Sequence, residues 1–81
     1  MGDYLRELAA RGREIRKMPR QERSAFLKKP TVEALEMIIG LSMEGDKTGL
    51  RQIAVNIKVH PDVRELARNC LEEIVLHEGL Q

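Results

Sequence analysis

Tryptophan is absent from the chain, and phenylalanine and tyrosine occur once each, as Phe26 and Tyr4. Recognition of RNA or single strands by stacking bases on aromatic faces therefore has little to work with. The core must be assembled from Leu, Ile, Val, Ala and Met. Cys70 is the only cysteine, which excludes an internal disulfide and every Cys-x-x-Cys zinc arrangement. No run approaches the roughly 20 apolar residues that span a bilayer. Residues 1–17 lack the apolar segment of a signal peptide, and Arg6 stands where a myristoylation motif has Ser or Thr. The expectation is a cytoplasmic protein without membrane contact.

What is present fits one small helical domain over residues 1–81. A chain of this size buries roughly 60 to 65% of its extended surface, so association with a partner is an expected further source of stability. The net charge of +1 hides an asymmetry. Residues 1–30 hold nine Lys and Arg against four Asp and Glu, and residues 31–81 hold five against nine. A basic N-terminal third thus precedes an acidic core region. Such a third can meet an anionic partner, a phosphate backbone or the chain's own second half.

Hydrophobic spacing predicts five helices and no strand. Tyr4, Leu5, Leu8 and Ile15 recur at helical spacing within residues 3–17, with Gly12 as a weak point worth about 1 kcal/mol relative to Ala. Pro19 suits the first turn of a short second helix, and Pro30 ends it. Thr31 is the expected cap of a third helix, with Glu33 in its first turn. Val32, Leu35, Met37, Ile38, Ile39, Leu41 and Met43 make that helix apolar around most of its circumference, the expected centre of the core. Gly45 should end it, and Asp46 or Thr48 should cap the next. Leu50, Ile53, Ala54 and Ile57 form one face of a short fourth helix. Pro61 then interrupts, and a last helix over about 62–77 carries Val63, Leu66, Ala67, Cys70, Leu71, Ile74 and Val75 as one stripe, with Gly79 as its stop.

The reactive side chains near the C-terminus do not assemble a site on this reading. Cys70 falls inside the apolar stripe, and His77 lies about 10.5 Å further along the axis, too far for a nucleophile pair or a shared zinc. His60 shapes the turn before Pro61, and Asp62 is the expected cap of the last helix. Adjacent Glu72 and Glu73 diverge by about 100°. The segment "GDKTG" lacks the strand and glycine spacing of a phosphate loop. Neither enzyme activity, a metal nor a cofactor is expected.

Two resemblances bear on function. Val63, Arg64, Ala67, Leu71 and Ile74, preceded by Pro61, Asp62 and a short amphipathic helix, form a pattern that resembles the second half of a HEAT repeat over residues 48–76. The resemblance implies a helical hairpin of the α-solenoid type, with Asp62 and Arg64 near its turn, and a protein-binding adaptor or regulator. With one copy and a short first helix, it implies a single-repeat unit completed by the earlier helices. "LRQIAVNIKVHPDV" is similar to the helix-turn-helix of transcription regulators, which would turn Arg64 and Arg68 toward a major groove.

The fold expected is all-α: a bundle of four to five helices ending in a HEAT-like antiparallel hairpin. The function expected is a small non-catalytic interaction protein that binds a protein partner or itself through a helix face. Arg13, Arg16, Lys17 and Arg20 are one candidate surface, and Met37 with Met43 another. The alternative is a DNA-binding regulator using Arg64 and Arg68, with Lys28, Lys29 and the other basic N-terminal residues on phosphates.

Overall fold

Thr31, Gly45 and Asp46 act where the spacing places them. Pro19 instead stands just before the second helix and not in its first turn, and that helix ends at Phe26, ahead of Pro30. In the computed structural model, which describes residues 2–79, α1 spans Gly2–Lys17, α2 Arg20–Phe26, α3 Val32–Met43, α4 Lys47–Ala54 and α5 Pro61–Gly79. Among the described residues there is no strand. The fold is an all-α bundle. Thr31 caps α3 by accepting from the Ala34 N–H at 3.1 Å, and Asp46 caps α4 by accepting from the Gly49 N–H at 3.1 Å. Between them α3 closes in a Schellman turn: Gly45 N–H donates to the Ser42 carbonyl and Asp46 N–H to the Leu41 carbonyl. Gly45 sits at φ 69°, the left-handed conformation this turn needs.

α3 is the centre of the core. It buries Ala34, Met37, Ile38 and Leu41 and packs against α1, α5 and α4. The radius of gyration, 12.0 Å, is close to the ~11.7 Å expected of one compact body of this length. Leu27, at the C-cap of α2, is fully buried, and the His60 N–H donating to its carbonyl at 3.0 Å ties that end of α2 to the loop of residues 55–60. Because the Lys47 ammonium meets Glu78 at 2.9 Å, α4 begins beside the end of α5. The two helices therefore run in opposite directions on either side of that loop.

Gly12 reverses its sequence reading. It is buried where α1 crosses α3 at Gly40, and the two backbones touch with no side chain between them. A Cβ on Gly12 would lie 2.5 Å from the Gly40 carbonyl carbon, and one on Gly40 would run into the Leu8 carbonyl oxygen. The residue that weakens the isolated helix is the one that lets α1 dock. The fourth helix is also shorter than its spacing suggests. It ends at Ala54, so Ile57 leaves the apolar face and stands 85% exposed. Val75, expected in the stripe of α5, is likewise exposed, because twelve positions beyond Val63 it lies about 120° around the helix from it.

Gly12→Ala and Gly40→Ala should each destabilise the fold by about 1 to 3 kcal/mol, since the clash is with backbone and outweighs the better helix propensity. Gly2→Ala, with open space around it, should leave stability unchanged or slightly raised. Urea unfolding followed by circular dichroism distinguishes these outcomes.

Candidate functional site

The basic residues of the N-terminal third divide by their surroundings. Arg16 meets Glu44 at 3.0 Å and Asp46 at 3.4 Å, and Arg13 lies 3.8 Å from Glu44. These pairs join the end of α1 to the end of α3. Being half exposed they contribute at most about 1 kcal/mol each, but they occupy two of the four arginines and lysines expected to face a partner. Lys17 and Arg20 form no ion pair among the described residues.

Arg20 belongs instead to a groove that sequence reading missed. α2 and the loop of residues 55–60 enclose a cavity of about 440 Å³ lined by Arg20, Gln21, Ser24, Lys28, Asn56 and Lys58, with Ala25. Its polar wall is held by hydrogen bonds. Asn56 donates from Nδ2 to Ser24 Oγ at 2.9 Å and accepts at Oδ1 from the Lys58 N–H at 3.0 Å. No carboxylate lines it. The sequence carries no signal for this groove, because Ser24 and Asn56 are 32 positions apart and only the docking of α2 brings them together. Lys29 is exposed on the segment after α2, outside the lining.

The methionine surface needs correction. Met37 is 2% exposed and belongs to the core, whereas Met43 is 48% exposed. Six positions turn them about 120° apart on α3. The face that α3 leaves uncovered carries Val32, Ile39 and Met43, which fall within about 40° of one another, with the partly exposed Glu36 on the same face about 20° from Met43. Gly40, the contact with α1, lies about 80° to one side, and Ser42, the hydrogen-bond partner of Cys70 on α5, about 80° to the other. A largely apolar strip, interrupted by Glu36, thus runs between α1 and α5.

Arg64 and Arg68 differ in setting. Arg68 is exposed, but Arg64 is half-buried and its Nε is shielded from solvent without an acceptor among the described residues. Cys70 is half-buried beside Ser42. Burial pushes its thiol above the ordinary value, the Ser42 hydrogen bond draws it partly back, and the charge of Glu73 adds to the rise. The thiolate, the nucleophilic form, is disfavoured. His77 is exposed. Among the described residues no three His, Cys, Asp or Glu side chains are grouped to hold a metal ion, and no helix is long and apolar enough to cross a membrane.

His60, not Asp62, caps α5. Its Nδ1 accepts from the Asp62 N–H at 3.1 Å, and its carbonyl accepts from the Arg64 N–H at 3.0 Å. Asp62 falls inside the first turn, since Pro61 takes the opening helical position.

No family model matches the chain, no curated protein does, and no solved structure does.

His60→Ala should cost about 1 kcal/mol of stability, and His60→Asn, which keeps a capping oxygen, should recover most of it. Thermal unfolding at neutral pH reads the difference. Alkylation of Cys70 in the folded chain should show a pH midpoint above that of the unfolded chain, and Ser42→Ala should move it higher still. Because folding favours the protonated thiol, its contribution to stability is complete below the unfolded thiol's value and is lost as pH rises through the folded one.

Proposed function

We propose that the chain is a non-catalytic interaction protein of the adaptor type, which binds a protein partner or a second copy through the uncovered face of α3. The observation that carries this reading is the exposure of Val32, Ile39 and Met43, grouped around Glu36 on one face of the helix that organises the core. Val32 alone is 70% exposed, on an element whose position is rigidly set from its other side. A surface of this kind suits a partner's apolar helix, and methionine adapts to such contacts. The HEAT-like pattern over residues 48–76 supports the same role. So does the raised Cys70 thiol, which lacks the activation a catalytic cysteine needs. A reducing, cytoplasmic compartment suits a chain whose one cysteine is free.

The DNA-binding alternative has weaker support. Arg64 is half-buried, and α5 presents Glu65 and Glu72 beside Arg68, which would repel phosphates.

A photo-crosslinker placed at Ile39 or Met43 should give one discrete product, at twice the chain mass for a second copy, and the same group at Glu65 on α5 should not. Ile39→Glu should reduce the product from Met43 at least about tenfold without loss of helix, since both side chains are on the surface. Equal yield at Glu65, or no discrete product at either α3 position, would overturn the proposal. Gel shift of duplex DNA at low and moderate salt tests the alternative.

A further inference from the structure

The groove between α2 and the loop of residues 55–60 concentrates positive charge that nothing in the fold neutralises. Arg20, Lys28 and Lys58 line one cavity of about 440 Å³, and none of them is in an ion pair among the described residues. The fold pairs Arg11, Arg13, Arg16 and Lys47 with carboxylates, and other exposed cations such as Lys17, Lys29, Arg51 and Arg68 are also in no ion pair among the described residues. What sets Arg20, Lys28 and Lys58 apart is their convergence on one concave site. Glu22, the one carboxylate on α2, lies about 160° around the helix from Ser24 and so points away. Arg23 adds a fourth cation behind the wall. It lines a narrow cleft that shares Arg20, Ser24 and Asn56 with the groove; its Nη2 donates to the Arg16 carbonyl at 3.5 Å, and its Nε has no acceptor among the described residues.

The neutral groups are arranged as donors. Ser24 is 8% exposed, and its Oγ already accepts from Asn56 Nδ2 at 2.9 Å. Its own proton is therefore the part left to give. Asn56 is fixed in orientation because its Oδ1 is taken by the Lys58 N–H, so its second Nδ2 proton is also available. Gln21 completes the lining. Three cations and a set of oriented donors, with no acceptor of charge, match an oxyanion of more than one negative charge. The concavity does not fit a duplex, and no aromatic side chain lines it to stack the bases of a single strand. Val55 and Ile57 stand exposed on either side of Asn56 and offer aliphatic contact to whatever carries the anion.

We infer that this groove is a binding site for a phosphate monoester, held by Arg20, Lys28 and Lys58 with Ser24 and Asn56 as neutral donors. The site is separate from the α3 face, and neither reading depends on the other.

Titration of the full isotope-labelled chain with N-acetyl-O-phosphoserine amide, glycerol phosphate and inorganic phosphate, read by amide chemical shifts, tests the site. Saturable shifts are expected at Ser24, Asn56 and Lys58, with a dissociation constant on the order of 1 mM for the best monoester. N-acetylserine amide and acetate should produce none. Tighter binding of the phosphoserine compound than of glycerol phosphate identifies a phosphorylated protein side chain as the source, and the reverse order a free phosphate ester. Lys58→Gln and Arg20→Gln, both at exposed positions, should each weaken binding about tenfold with helix content and melting unchanged. The proposal is overturned by an absence of saturation up to on the order of 30 mM, or by shifts spread equally over Arg11 and Arg51. It is equally overturned if a single-stranded oligonucleotide binds the groove and the monoesters do not.

Discussion

Gly12 and Gly40 allow two helix backbones to meet directly, and the position of α1 on α3 follows from that approach. With the axes this close, Leu8 and Ile15 on either side of Gly12 reach the interior instead of holding the helices apart. The same approach brings Arg13 and Arg16 within reach of Glu44 and Asp46 at the end of α3. Dispersion contacts weaken steeply with separation, so a gap opened here by one methyl group would loosen the packing above and below it. The ion pairs are too exposed to hold the crossing by themselves. They follow from it.

This crossing also decides how charge is spent across the surface. The basic N-terminal third reads as one continuous cationic segment, yet its first part is partly neutralised against α3 and its second part is not. Arg20 and Lys28 sit on α2 or just after it, and α2 packs on a loop that supplies Asn56 and Lys58 instead of carboxylates. Charges of one sign gathered in a concave site destabilise the empty fold slightly by mutual repulsion. A di-anionic ligand removes that repulsion on binding, which is the physical sense of the groove.

The rotation of α5 divides its apolar side chains in the same way. Val63 and Ala67 are fully buried, whereas Val75 and Leu76, about 120° and 140° around the helix from Val63, are exposed. α3, bounded by α1 and α5, keeps Val32, Ile39 and Met43 uncovered between them. Apolar side chains are thus divided between a complete core and surfaces that no element of the described chain covers.

The helices themselves were determined by local sequence. Thr31, Asp46 and Gly45 act through groups within five residues of themselves, so their roles could be read directly, as could the burial of Ala34, Ile38 and Leu41 from helical spacing. Local reading failed where the outcome depends on a distant partner. Gly12 looked like a defect because its partner is 28 residues away, and Met37 looked available because spacing cannot say which part of a largely apolar helix the other elements will cover. Ile57 continued a helical pattern that the chain had already left, and His60 could be known as a cap only from the placement of its ring. The groove of Ser24, Asn56 and Lys58 had no sequence signal at all. Periodicity and capping are properties of neighbouring residues, whereas close approach, charge pairing and concavity exist only once separate helices have docked, and tertiary structure alone decides them.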